Sequence, residues 1–493
     1  MTASTKHSAV IVAILVVAFG IWVAAAGRYA NEWDHNEGVY FNSARLVARG
    51  HELFAEVFSS QPPVFVTSLA ATFALVGDSP EAGRLFMAAV ATVGLGAIAF
   101  LAWHLLGPAV APWCVLAAAT SYLYCRGGHY AEADLPAAAL ALLAMALALA
   151  ANQKSSLLLA ALSGLVYALA VMTKVLVVPW LPALAMLFLP AAVGRGGWTF
   201  NGVLSKGAAC AAGFVFGLAA IFAAFGATEV WNQAFLFHFD KRSSTGVAAP
   251  WATNISLMAQ YFGRDLGLAV LAAVGAAMLV WNRGFVLLWL LALGGGAFAF
   301  ALYHTPLAAN HLVPVGIAIA FAAGAGCVTL LASISRFSPK LFAVVCVLLL
   351  SQISVDSSVP GVPLRGETVL TLNPLRNHLK FLHVAPRDED LAIMEYLREN
   401  TEAAELVVSD GHKAVYWAGR ASPPFLCDIT RERVESGWLT DEDIISHSED
   451  IKVVVIQTTQ LDRFPRFKDW LGANYRLVKQ VSPTARIYRR VAD

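Results

Sequence analysis

From residue 8 to about residue 355 the chain alternates long apolar blocks with short polar connections. From about residue 385 the pattern becomes the short amphipathic period of a water-soluble domain. A helix that spans a bilayer needs about 20 predominantly apolar residues. Blocks of that kind occupy 8–26, 84–106, 109–125, 135–151, 156–173, 175–192, 206–225, 265–281, 285–302, 309–332 and 340–355. A further block, 62–77, opens on Pro62-Pro63 and ends in Gly77-Asp78-Ser79-Pro80, so it reads either as a span or as an interfacial helix. In the C-terminal part, Leu391, Ile393, Met394 and Leu397 give DEDLAIMEYLREN a helical period. ELVVSD and IKVVVIQ read as strands, RERVESGW and DEDIISHS as short helices, and YRLVKQV and ARIYRRV as closing strands.

The pattern predicts a polytopic all-α membrane domain over 1–355, a linker over 356–384 and a small α/β domain over 385–493. Composition agrees: 58% of residues are hydrophobic and 14% are charged, against about 25% charged in soluble proteins. The net charge of +1 and the absence of a basic run give no reason to expect nucleic acid. The six cysteines show no Cys-x-x-Cys spacing and read as packing residues, and no zinc site is expected. The N-terminal run, with Lys6 before it and Ala24-Ala25-Ala26 at its end, has features of a signal peptide. Its length favours an uncleaved first helix.

Charge sets the topology. If 62–77 stays on one side, the loops carrying Lys6, Lys154, Arg195 with Lys206, Arg283, and Arg336 with Lys340 share the N-terminal side. The positive-inside rule makes that side the cytoplasm. This arrangement has about 11 transmembrane helices, juxtamembrane helices in the first outer loop (27–83) and an extracytoplasmic C-terminal domain.

Three loops then meet at the outer face. The first carries Asp34, His35, Glu37 and Arg45, with Arg84 just beyond it. The second carries Arg126, His129, Glu132 and Asp134, and the third His238, Asp240, Lys241 and Arg242. Lys174, His304 and His311 lie at the same level. Carboxylates beside a bilayer are costly, and two acidic clusters with several cations at one face fit a site for an anionic, lipid-borne substrate. Simpler readings stand beside this one. Asp34 and Glu37 suit a helix start, Lys174 a snorkelling helix end, Arg45, Arg49, Arg84 and Arg126 lipid-headgroup contacts, and His304 and His311 structural positions.

These residues resemble the glycosyltransferase C superfamily, in particular the branch with protein O-mannosyltransferases and the aminoarabinose transferases of lipid A. Residues 8–190 carry most of the likeness. Glu37-Gly38-Val39-Tyr40 opens the outer-loop helix, Gln61-Pro62-Pro63 stands at the family's Pro-Pro segment, and GDSPEAGRLF with Arg84 leads into the second span. YAEADLP with Asp134 matches the second acidic loop, and Thr173-Lys174 a basic residue near the lipid phosphate. The family's Asp-Glu pair reads Asn36-Glu37 here, and Asn cannot act as a base. Asp34, two residues upstream, is the substitute.

The resemblance implies a polyprenyl-phosphate monosaccharide donor and transfer to an acceptor hydroxyl with inversion. It points to Asp34 as general base, with Glu37 as the alternative or a positioning partner. Asp134 would orient the acceptor or its loop, with Glu132 as a weaker candidate. Arg84, Lys174 and Arg242 would meet the donor phosphate, assisted by His238, and Tyr40 would bind substrate. No metal ligands are expected. Mg²⁺ would bind incidentally and would not be required. The location is the inner membrane, and the acceptor is a glycan, a lipid such as lipopolysaccharide, or a protein. A transporter or flippase, and a relative that kept the fold but lost its base, are the competing functions. No internal repeat of the kind many transporters carry is found.

Overall fold

The computed structural model describes residues 3–29, 35–192, 199–244, 250–334, 352–355, 368–371 and 386–491. Six of its helices are long and apolar enough to cross a membrane: Thr5–Ala26, Pro80–Leu105, Asp134–Lys154, Phe200–Phe225, Gly284–Tyr303 and Ala309–Ala332. A seventh crossing is available if Trp251–Gly263 and Leu266–Trp281, bent by 99° at their junction, count as one span.

Several of the remaining apolar blocks take other forms. The block 109–125 breaks at Ser121 into Ala111–Thr120 and Tyr122–His129. Asp265, at the bend of the paired helices, accepts from Ser121 Oγ at 2.9 Å and from the Tyr122 N–H at 3.0 Å, so each break supplies what the other lacks. The block 175–192 contains Pro179 and Pro182 and forms a 3₁₀ turn, Val175–Trp180, followed by a short helix, Leu181–Met186. The block 62–77 is the 14-residue helix Pro63–Val76, about 21 Å long at 1.5 Å per residue and short of the hydrocarbon core. Of the block 340–355, only Gln352–Val355 lies among the described residues. It is a strand, paired antiparallel with Thr368–Thr371.

The membrane helices pack through small residues. A Cβ on Gly164 would stand 1.8 Å from the Cys210 carbonyl oxygen, and one on Gly275 1.9 Å from that of Ala322. Only glycine allows these backbones to approach so closely.

The C-terminal domain holds a four-stranded sheet in the order Val407–Ser409, Val453–Ile456, Arg486–Arg490, Tyr475–Gln480. The first pair is parallel and the others antiparallel. Helix Asp388–Asn400 buries Ile393 and Leu397 against it, as its period predicts.

This domain shares a core with the loop between the first two long helices. Phe41, Phe65 and Phe73 of the loop pack with Tyr416, Ala421 and Cys427 of the domain. Gly38 touches the Lys413 backbone so closely that a Cβ would lie 2.5 Å from its nitrogen. Arg45 does not face lipid. It is buried, donates to Asp78 and to the Arg420 carbonyl, both at 2.5 Å, and lies 3.9 Å from the centre of the Tyr416 ring. Tyr416 in turn donates to Asp78 at 2.8 Å. The domain is therefore seated directly on the helix that carries the first acidic cluster.

Candidate active site

The helix His35–Ala48 presents Asn36, Tyr40 and Ser43 along one face, at a helical spacing. These three line a polar cavity of about 230 Å³. Glu37 points elsewhere. It is fully buried and takes both arms of Arg84, with Nε to Oε1 at 3.0 Å and one terminal nitrogen to Oε2 at 2.9 Å. The Ala131 N–H adds a longer contact of 3.4 Å. The pair ties the helix His35–Ala48 to the start of the second span and to the second acidic loop. Neither residue lines the polar cavity or the neighbouring apolar groove.

This corrects two expectations. A carboxylate held by a bidentate guanidinium has its lone pairs engaged and is a poor base, and a guanidinium so engaged is not presented to a phosphate. Glu37→Gln is expected to leave Arg84 buried without its counter-charge and to cost about 3–5 kcal/mol. Denaturation of the purified protein checks this, and the double variant Glu37→Gln with Arg84→Met should recover most of the loss.

Glu132 is likewise engaged, in an ion pair with Arg126 and a 3.4 Å contact from Asn36 Nδ2. Asp34 lies outside the described residues. Arg242 sits in the helix Phe237–Ser244, and its side chain is outside the described set.

Three element ends converge at Asp134. It begins the helix Asp134–Lys154. Lys174 follows the helix Leu157–Val171 in extended backbone, and Asn310 lies in the 3₁₀ turn that opens the last long span. Asp134 Oδ2 accepts from Lys174 Nζ at 2.8 Å and from Asn310 Nδ2 at 2.9 Å. An ammonium has three donors. The other two of Lys174 meet no partner among the described residues, and Lys174 borders both the polar cavity and the apolar groove.

That groove has a volume of about 440 Å³ and is lined by Val175, Leu176, Val178, Phe235, Phe239 and Phe300 among others. It shares four residues with the polar cavity: Gln61, Lys174, His238 and His311. His238 is held by a 2.7 Å hydrogen bond from Nε2 to the Ser60 carbonyl. His311 Nδ1 accepts from the Ala308 N–H at 3.1 Å, which leaves the donor proton of the neutral ring on Nε2. A polar chamber and an apolar channel thus meet at a lysine and two histidines.

The family model described as dolichyl-phosphate-mannose-protein mannosyltransferase matches residues 60–216. Among solved structures, ArnT from Cupriavidus metallidurans bound to undecaprenyl phosphate superposes with a TM-score of 0.61 at 15% identity, covering 100% of this chain and 99% of that one. Over its whole length the chain has the fold of that protein. Apo ArnT gives the same TM-score at 14% identity, with 99% of each chain covered. AglB, the oligosaccharyltransferase of Archaeoglobus fulgidus in complex with an inhibitory peptide and a dolichol-phosphate, gives 0.52 at 12% identity, over 93% of this chain and 71% of that one. No curated protein matches the chain by sequence.

Within this fold, several site residues had no signal in the sequence. Asp428, Thr430 and Glu432 of the C-terminal domain line the polar cavity opposite in sequence to everything else there. No short motif marks them, because the domain reaches the cavity only after it docks. Their neighbour His412 is fully buried, and its Nε2 accepts from the Ile429 N–H at 2.9 Å. Burial first, then the nearby His35 and Arg433, push this imidazole down to about 3 and hold it neutral. His311 was visible in the sequence only as a polar residue between apolar blocks, and Asn310 was not singled out at all.

Proposed function

We propose that this chain is a membrane glycosyltransferase that moves a monosaccharide from a polyprenyl-phosphate donor to an acceptor hydroxyl at the outer face of the cytoplasmic membrane. The observation that carries this reading is the junction of the polar cavity with the apolar groove at Lys174, His238 and His311. A lipid-linked sugar has the same three parts in the same order: an apolar chain, a phosphate and a polar sugar. The chain fits the groove, the phosphate the junction and the sugar the cavity.

The proposed reaction follows from that placement. The acceptor oxygen attacks the anomeric carbon, and its proton passes to Asp34, the general base. The bond between the anomeric carbon and the phosphate oxygen breaks, and its electron pair stays with the phosphate. The phosphate leaves as a polyprenyl monophosphate with one more negative charge than it had in the donor. Lys174 supplies positive charge where this charge develops, a role worth most in a site shielded from water, while His311, with its donor proton on Nε2, and His238, held by the Ser60 carbonyl, line the junction beside it. A single displacement inverts the anomeric configuration. With these residues at the phosphate, the reaction is proposed not to require a divalent cation.

The test is transfer of label from radiolabelled polyprenyl-phosphate monosaccharides to a membrane extract by the full chain in nanodiscs. The expected result is labelled acceptor and released polyprenyl phosphate, with the rate unchanged by a chelator. Donor recovered intact on the other leaflet would support a transporter instead, and donor bound but unchanged would support a non-catalytic relative.

A further inference from the structure

Two buried aspartates of the C-terminal domain behave very differently. Asp410 is saturated by the backbone. Its two oxygens accept from the N–H groups of Gln457, Thr458, Gln460 and Leu461, at 2.6 to 3.2 Å. That is how a structural carboxylate is kept out of water. Asp428 is 4% exposed, yet it receives one hydrogen bond, from the Thr430 N–H to Oδ1 at 3.2 Å. Its second oxygen has no partner among the described residues, and the residue lines the polar cavity.

Arg433 is buried beside it and does not pair with the carboxylate. One terminal nitrogen donates to the carbonyls of Phe425 at 2.7 Å and Asp428 at 2.9 Å, while the guanidinium lies 3.8 Å from the centre of the Phe58 ring. His412 holds the next residue, Ile429, from the other side. The segment is thus pinned on both flanks, and the side chain between them keeps an oxygen in reserve. Such support is what a binding group needs to hold its direction. Asp428 lines the polar cavity and not the apolar groove, whereas Lys174 lines both. In a displacement at the anomeric carbon the incoming hydroxyl approaches from the side away from the departing phosphate.

We propose that Asp428 is an acceptor-binding residue, whose free carboxylate oxygen takes a hydrogen bond from a hydroxyl of the acceptor, so that the docked C-terminal domain completes the site. This rests on the function proposed above. Thr430 and Glu432, on the same wall, flank the place where the acceptor would lie.

The test uses the full chain in nanodiscs, with Asp428→Asn and Asp428→Ala beside the wild type. Two quantities are read: the apparent KM for a titrated membrane extract as acceptor, and the Kd for polyprenyl monophosphate. Loss of a hydrogen bond to a charged group predicts a rise of about tenfold or more in acceptor KM for Asp428→Ala, with polyprenyl-phosphate affinity within about twofold of wild type. Asp428→Asn, which keeps shape and an acceptor oxygen, should fall between. An unchanged acceptor KM overturns the proposal. So does a loss of polyprenyl-phosphate affinity in parallel with activity, which would make Asp428 a folding residue. If the wild type neither binds polyprenyl phosphate nor transfers sugar, the functional reading itself falls and this inference with it.

Discussion

Lys174→Gln is expected to lower sugar transfer by about 10²–10³-fold, the scale seen when one donor to a developing anion is removed. The difficulty is that Lys174 also neutralises Asp134, which is 1% exposed. Removing one partner of a buried pair typically costs about 3–5 kcal/mol in stability, so a dead single variant could simply be unfolded. The double variant Lys174→Gln with Asp134→Asn separates the two effects. It removes both charges while keeping polar atoms for Asn310 to meet. It should therefore melt close to the wild type, yet remain as inactive as Lys174→Gln, because the cation at the junction is still missing. Transfer rate and thermal melting of the three variants check this. Recovery of activity in the double variant would reduce Lys174 to a counter-ion.

Asp34→Asn carries the second large effect, a loss of about 10²–10⁴-fold in transfer, the usual worth of a positioned general base. Asp34 directly precedes the helix His35–Ala48, whose Asn36, Tyr40 and Ser43 line the polar cavity. Because a base acts on the acceptor and not on the donor lipid, polyprenyl-phosphate affinity should stay within about twofold of wild type while the turnover number falls. Glu37→Gln gives the contrasting signature. Its damage falls on stability, and what folds should retain a base. Transfer kinetics with polyprenyl-phosphate titration on the same preparations distinguish these outcomes.

How far the sequence discloses this molecule depends on the range of the interactions involved. The six long membrane helices are legible because hydrophobicity over about 20 residues is a local property. The C-terminal strands Val453–Ile456 and Arg486–Arg490 are legible for the same reason. The break at Ser121 is not, because it is completed by Asp265, far along the chain. Nor is the prolines' effect on 175–192 visible to a hydropathy window, since Pro179 and Pro182 leave the block apolar while removing its helical hydrogen bonds.

At the site, the residue types point to Lys174, His238 and His311, which line one cavity, but not to the partners each residue takes. Glu37, Arg84, Glu132 and Arg126 all look like free charges in the chain, and all four are engaged with one another in the fold. Lys174 keeps unused donors because its single partner approaches from one side. Asp428 lies almost 400 residues from Asn36 in sequence, yet both line one cavity. Only the seating of the C-terminal domain, where Gly38 meets the Lys413 backbone, brings them together.

The central claim is that a lipid phosphate is held where the two cavities meet. A structure of the protein in nanodiscs with polyprenyl monophosphate tests it most directly. The account predicts phosphate density within hydrogen-bond reach of Lys174 and beside His238 and His311, with the isoprenoid chain running past Val175, Val178 and Phe239. Phosphate bound at Arg84, with the Glu37 pair opened, or a lipid chain that avoids the groove, would contradict it.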